Sequence, residues 1–165
     1  MSGFDPEAFI ASIRRMERVH PATASPLVVR GADLHWFEPE QLHNPSRIAM
    51  IADLPTLTFE LFVQEIEAGG SSDMQRHHHE TVHYVIAGSG FSEIGDERVE
   101  WEAGDSVYTP PWAWHRHYNA SEVDVVRMLG IESSRLLERL GGLNRRQSLG
   151  LMTMAEVGQL GRDSE

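Results

Sequence analysis

The sequence predicts an all-β fold, a sandwich or barrel of short antiparallel strands, and three observations point to it. Between Thr56 and Leu129, short apolar and β-branched runs are broken by turn residues: Gly69-Gly70, Gly88-Ser89-Gly90, Gly95-Asp96, Gly104-Asp105 and Pro110-Pro111. Leu57 to Ile66 alternates apolar and polar residues, the period of a strand with one buried face. Six of the nine histidines fall between His77 and His117, in two clusters that only a fold pairing remote strands would unite.

Taken in order, the elements begin with Asp5-Pro6-Glu7, an N-cap, a first-turn proline and an acid near the positive end of a helix dipole. They predict a helix ending near Val19, with Phe9, Ile13, Met16 and His20 along one stripe. Residues 21–55 hold five of the eight prolines and read as an arm of loops. Its strand candidates are Leu27–Val29 and Arg47–Ile51, and His35, Trp36, Phe37 and His43 read as packing residues. Strands are then expected at 57–66, 74–79, 82–86, 91–94, 98–101, 106–109, 114–118 and 123–129, with a tight hairpin at Gly95-Asp96. Glu132–Leu140 is a closing helix with Leu136, Leu137 and Leu140 on one side and Gly141-Gly142 as its stop. The chain after Asn144 carries little pattern and is expected to fray from about 157. Three segments follow: helix and arm over 1–55, barrel over 56–145, tail over 146–165.

Composition narrows the function. The chain has 165 residues, 41% hydrophobic and 24% charged, enough for one domain with one core. Its net charge of -11 repels phosphate backbones and anionic lipid, so neither nucleic acid nor a membrane surface is an expected partner. With no cysteine, disulfides, thiolate nucleophiles and Cys-type zinc sites are excluded. The start of the chain lacks a signal-peptide pattern and no apolar run reaches bilayer length, so a cytoplasmic location is expected.

The histidines supply the chemistry. On a strand only i and i+2 share a face, so Gln75, His77 and His79 project together and His78 faces solvent. A further donor must come from another strand, and His115 is the candidate. Two or three imidazoles with an oxygen donor suit one divalent metal ion: Fe(II), Zn, Mn, Ni or Cu. Tyr84 reads as core, Arg116 as outward-facing, Asn119 as a turn residue, and Trp112 and Trp114 as rim and core packing.

These residues resemble a known family. Gly70…His77-x-His79-Glu80…Tyr84-Val-Ile-Ala-Gly88 is similar to the first cupin motif, and Gly104-Asp-x4-Pro110-x4-His115-x3-Asn119 to the second. The resemblance covers roughly residues 56–130. Pro111-Trp-Ala-Trp-His115-Arg-His117 is most similar to the aromatic ring-cleaving branch, the gentisate, salicylate and hydroxynaphthoate dioxygenases. The resemblance implies a double-stranded β-helix, the cupin jelly-roll barrel, and one Fe(II) per chain held by a His-x-His pair and a distant histidine. It implies a hydroxy-carboxylate aromatic substrate, and a homodimer made through the N-terminal helix and arm.

Carried over by position, His77 falls on the second histidine of the family's pair, Gln75 on the first and His115 on the distant ligand. His83 falls where the family has an arginine that holds the substrate carboxylate, and His117 on a histidine touching the substrate oxygens. The resemblance therefore implies that His83 and His117 orient substrate and move protons. Glu80 lies one residue short of a glutamate found across the wider superfamily. Two registers remain open, Gln75 with His77 or His77 with His79. Replacement of arginine by His83 removes a bidentate clamp, and the ring cleavers of this branch carry two cupin domains in a longer chain. The expected function is an Fe(II)-dependent, dioxygenase-like enzyme acting on a small aromatic or chelating acid. The alternatives are a non-redox metal-dependent isomerase, lyase or hydrolase, and a module that binds a small metabolite.

Overall fold

A computed structural model describes Glu7, Ile10 and residues 26–160. The helix expected over Asp5–Val19 lies outside the described residues, except that Glu7 and Ile10 are helical. Two antiparallel sheets make up the fold. One runs β1 (Trp36–Phe37), β2 (Arg47–Met50), β3 (Glu60–Ile66), β10 (Val126–Glu132), β5 (Thr81–Ala87), β8 (Ser106–Thr109). The other runs β11 (Arg146–Ser148), β4 (Gln75–His77), β9 (His115–Asn119), β6 (Ser89–Ile94), β7 (Glu97–Glu102). Among residues 26–160 three short α-helices flank them, α1 (Pro39–Leu42), α2 (Ser134–Arg139) and α3 (Met154–Leu160). Among the described residues no helix is long and apolar enough to cross a membrane.

The expected strands from 57 to 129 all form, with ends moved by a few residues. Ile94 pairs with Glu97 across the two-residue turn Gly95-Asp96, and Gly95 takes φ +57°, which glycine adopts without steric cost. Asn119, expected in a turn, is instead the last residue of β9, and its side chain ties the neighbouring turns together. Its Nδ2 donates to the carbonyls of Ile66, Glu67 and Asp124, and its Oδ1 accepts from the Ser121 amide. Register is fixed outside the barrel by Glu65, which lies directly across from Arg47 on β2 and Arg127 on β10 and pairs with both.

Several expectations are corrected. Leu27–Val29 is not a strand: Leu27 and Val28 are exposed, with no ladder to satisfy their backbone. The closing helix is shorter than expected, and Leu136 and Leu140 stay largely exposed rather than packing beneath it. Tyr84 points outward, because His83 and Val85 take the inward positions of β5. Arg116 is buried: it donates to Ser71 Oγ and to the carbonyls of Ser72, Leu151 and Met152. The segment after Asn144 is ordered by that contact and by strand pairing. β11 pairs with β4, and the backbones of Met74, Leu149 and Gly150 continue the ladder.

Inside the barrel, composition changes along the strands. Ile66, Val85, Trp101, Val107, Val126 and Met128 form an apolar cluster at one end. Toward the other end the inward positions become Gln64 on β3, His83 and Thr81 on β5, and Gln75 and His77 on β4. The barrel is thus half core and half polar chamber.

Candidate metal centre

His77, His83, His115 and His117 form a buried cluster of imidazoles at the chamber. Adjacent strands place them: Gln75 on β4 lies directly across from His115 on β9, and His117 lies across from Ser92 on β6. Ring centroids are 4.8 Å apart for His77 and His115, 5.7 Å for His115 and His117, and 4.5 Å for His117 and His83. The two remote clusters therefore meet, as their spacing predicts. Of the four rings, those of His77 and His83 open on a cavity of about 170 Å³, which His79 also lines, below the roughly 300–1,000 Å³ of pockets for drug-sized ligands.

What each nitrogen presents follows from its other partner. His77 Nδ1–H donates to the His79 carbonyl at 2.7 Å, and His115 Nδ1–H to the Ala113 carbonyl at 2.9 Å. Each then holds Nε2 as a bare lone pair, and His115 Nε2 is buried with no partner among the described residues. Gln75 Oε1 is a third buried acceptor without a partner. His117 is different. Trp101 Nε1–H donates to Ser92 Oγ at 2.8 Å, and Ser92 Oγ lies 2.7 Å from His117 Nδ1. Among the described residues Ser92 Oγ has no other partner, an arrangement that favours a hydroxyl donating to Nδ1 and the His117 proton on Nε2, which is buried without a partner.

Burial sets the charge of the cage. It lowers His77 to a pKa of about 4, with His79 as a second cause, and His83 to about 3, helped by His115 and His77. Burial likewise holds His115 and His117 well below the ordinary histidine value. All four are neutral at neutral pH, the ligand-competent form, so no proton need be displaced when an ion binds.

His79 behaves otherwise. Its Nδ1 lies 2.8 Å from Asn144 Oδ1 and its Nε2 3.1 Å from a Glu132 carboxylate oxygen. Burial works against its charge, but Glu132 and Asn144 outweigh it and hold the pKa above the ordinary value. Glu132 is correspondingly lowered against the pull of burial by His79 and Ser134. His79 Nε2 thus stands at ion-pair distance from Glu132 but forms no well-aligned hydrogen bond, so the ring is drawn toward Glu132 without being excluded as a donor to an ion. Its ring stacks on His77 at 3.7 Å, nearly parallel.

Among the described residues no three histidine or acidic side chains gather around a single point. Gln75 and His115 are cross-strand partners and the His77 and His115 rings lie 4.8 Å apart, so these three residues form one candidate donor set, with His79 stacked beside His77 as the alternative to Gln75. These donors fit a divalent ion of borderline hardness: buried, neutral, bare, and held in place by a hydrogen bond behind each imidazole. His78 does not share the site, since it turns out toward the Leu143 carbonyl and Trp112. Glu80 also points away and accepts from the Tyr108 hydroxyl. Trp112 and Trp114 sandwich the Arg76 guanidinium at the rim.

Comparison with known proteins agrees with this architecture. A family model described as a cupin domain matches residues 62–132. Residues 62–132 are a cupin domain. The gentisate 1,2-dioxygenase 1 of Aquipseudomonas alcaligenes is 33% identical over 94 residues, which cover 55% of this chain and 26% of that protein. A 1-hydroxy-2-naphthoate 1,2-dioxygenase of a Nocardioides species is 31% identical over 88 residues, covering 53% and 23%. The chain thus spans about a quarter of the length of these relatives. In structure, a cupin-2 domain from Rhodospirillum rubrum superposes with a TM-score of 0.61 at 22% identity, covering 82% of this chain and 86% of that one. A variant of salicylate 1,2-dioxygenase from Pseudoaminobacter salicylatoxidans, solved with gentisate, gives a TM-score of 0.58 at 17% identity, covering 64% and 30%. Both structural matches show the cupin fold.

Besides Glu132, read only as a helix start, the sequence pattern missed four contributors to the site. Ser92 and Trp101, which favour one His117 tautomer, sit on strands read only for their periodicity. Asn144 and Arg146 come from a segment that carries no amphipathic pattern. No local signal marks any of the four, since their importance arises from pairing across sheets.

Proposed function

We propose that this chain is a mononuclear metal-dependent, dioxygenase-like cupin that takes one Fe(II) and acts on a small aromatic or otherwise chelating carboxylic acid. The observation that carries the reading is the set of buried acceptors without protein partners, Gln75 Oε1 and His115 Nε2, beside the bare Nε2 of His77. Those three residues would hold the ion. When bound, the metal supplies a Lewis acid and a route for electrons between substrate and dioxygen. His117 donates its Nε2–H to a substrate oxygen, and His83, neutral and buried, accepts or shares a proton through Nδ1. His79 and Glu132 form an ion pair at the chamber wall instead of ligating. The small cavity favours a single ring or a short aliphatic acid over a fused bicyclic one. Relatives bearing the names of ring-cleaving dioxygenases support the oxidative reading.

A second reading has one observation in its favour. The family's arginine position holds His83, with a pKa of about 3 and no charge to offer a carboxylate. A non-redox metal-dependent isomerase, lyase or hydrolase would tolerate that change. The discriminating experiment is anaerobic loading with Fe(II), followed by gentisate, salicylate and aliphatic hydroxy acids in air. Oxygen uptake with a ring-fission chromophore supports the first reading. Turnover under nitrogen with zinc or nickel, and no uptake with iron, would replace it by the second. Assembly as a homodimer is part of the proposal, and elution as a monomer in size-exclusion chromatography would remove it.

A further inference from the structure

If the anion clamp is missing from His83, another cation near the chamber could do its work, and most of the arginines nearby are committed elsewhere. Arg47 and Arg127 are bound to Glu65 outside the barrel. Arg116 is tied to Ser71 and to the tail carbonyls. Arg76 lies between Trp112 and Trp114 and donates to Gln147. Arg135 donates to Thr56 and faces Glu60. Arg146 differs from all of these. Strand β11 sets it directly across from His77, and its side chain lines the chamber together with Gln75, His77 and His83.

The obvious structural role for Arg146 is to balance buried Asp73, but the geometry argues against it. Their contact is 3.9 Å, beyond hydrogen-bond reach. Both Asp73 oxygens already accept at 2.7 Å, Oδ1 from Asn44 Nδ2 and Oδ2 from Ser148 Oγ. The Arg146 side chain is 54% exposed, so its guanidinium stands at the mouth. The other charges lining the chamber are paired, Glu132 with His79 and Glu60 with Arg135 and Ser134. The field of Arg146 also reaches the cage, where it opposes protonation of His77 and His115.

We infer that Arg146, contributed by the C-terminal strand β11, is the residue that recognises the carboxylate of an anionic substrate at the chamber mouth. It takes over the work of the arginine that His83 replaces. The inference deepens the proposed function and rests on it for the identity of the inner donors. A planar guanidinium meets a carboxylate through two parallel N–H bonds, which lysine cannot reproduce. Selection for a small monocarboxylate follows, its second donor reaching inward past His77.

The test compares wild type, Arg146→Gln and Arg146→Lys, each loaded with Fe(II) under nitrogen. Titration calorimetry with salicylate and with its neutral amide, salicylamide, is the readout, and iron content and thermal midpoint are measured alongside. Arg146→Gln is expected to keep its iron and fold, to lose at least tenfold in salicylate affinity, and to leave salicylamide unchanged. Arg146→Lys should fall between. Equal salicylate affinity in wild type and Arg146→Gln overturns the inference. So does an equal loss for salicylate and salicylamide, which would make Arg146 a support for β11. Should wild type take up no iron, the metal reading falls on its own. Benzoate titrated against the metal-free proteins then decides the anion role by the same wild-type to Arg146→Gln ratio.

Discussion

Gly130 lies between two residues that line the chamber, and replacing it with alanine probes packing and site together. Its strand neighbours on either side are Phe62 on β3 and His83 on β5. A Cβ at this position would lie 2.2 Å from Phe62 Cζ and 2.4 and 2.6 Å from the two Cε atoms. Carbon atoms pack at about 3.5–4.0 Å, so the ring must withdraw by at least roughly 1.3 Å. Phe62 lines the chamber and meets His83 edge-on at 5.6 Å, so the ring's retreat disturbs the chamber wall. Forcing extra volume into such a site costs about 1–3 kcal/mol. Alanine also restricts the unfolded chain, a gain of about 0.4–1 kcal/mol. The clash wins, and Gly130→Ala should be destabilised by roughly 1–2 kcal/mol. For a chain of this size that lowers the thermal midpoint by about 2–8 °C. Urea denaturation of wild type, Gly130→Ala, Phe62→Leu and the double variant measures it. The double variant should recover part of the loss, with a coupling of about 0.5–2 kcal/mol. A Gly130→Ala protein as stable as wild type, or strictly additive effects, would refute the reasoning.

Other parts of the structure make equally direct predictions. Fe(II) content should fall in both Gln75→Ala and His115→Ala, because each removes an unpartnered donor, while exposed His35→Ala keeps it; retention in His115→Ala would sink the cage. Arg116→Ala removes the donors that hold the Leu151 and Met152 carbonyls, each charged bond being worth about 1.5–3 kcal/mol when buried. Amide exchange at Met74 and Leu149 should then quicken far more than in the apolar cluster, and unchanged exchange would show that β11 holds the tail alone. Tyr118 is held up at about 12, by burial first and then by Glu93. Its folded-state pKa is above the unfolded value of about 10, so its contribution to stability is intact below pH 10 and lost as pH climbs toward 12. The native tyrosinate absorbance titration should therefore lose its latest step in Tyr118→Phe, and a single ordinary step for all tyrosines would contradict the burial argument.

Legibility in the sequence followed the range of the forces involved. The strands from 57 to 129 were readable because alternation and turn chemistry are local. His77 and His115 were identifiable because i, i+2 spacing is also local and the histidines are dense. The register between Gln75 and His79 was not readable. It turns on the contacts of His79 with Asn144 and Glu132, which arrive from 65 and 53 residues further along the chain. Arg116 was misread for a related reason: strand alternation says only which face it occupies, and that face is covered by residues 149–152. The tail looked empty because its order comes from pairing with β4 rather than from its own amphipathicity.

The two histidines of β9 show how one strand can supply opposite functions. His115 and His117 are two residues apart, equally buried and both neutral. They differ in what faces Nδ1, a carbonyl at Ala113 or the Ser92 hydroxyl, which accepts from the Trp101 indole and so favours donating its own proton. The first arrangement leaves a lone pair in the chamber and the second leaves an N–H, so an acceptor for an ion and a donor for a substrate oxygen stand side by side. An unpaired buried polar group costs about 1–3 kcal/mol, and a domain has only about 5–15 kcal/mol of net stability. A barrel that keeps Gln75 Oε1, His83 Nδ1, His115 Nε2 and His117 Nε2 buried without partners is therefore shaped for contents that answer them, an ion on the acceptor side and an oxygen on the donor side. Occupancy then adds to stability by mass action. Loading with Fe(II) should raise the thermal midpoint of wild type and leave that of His115→Ala where it was. An equal rise in both would place the ion somewhere other than between β4 and β9.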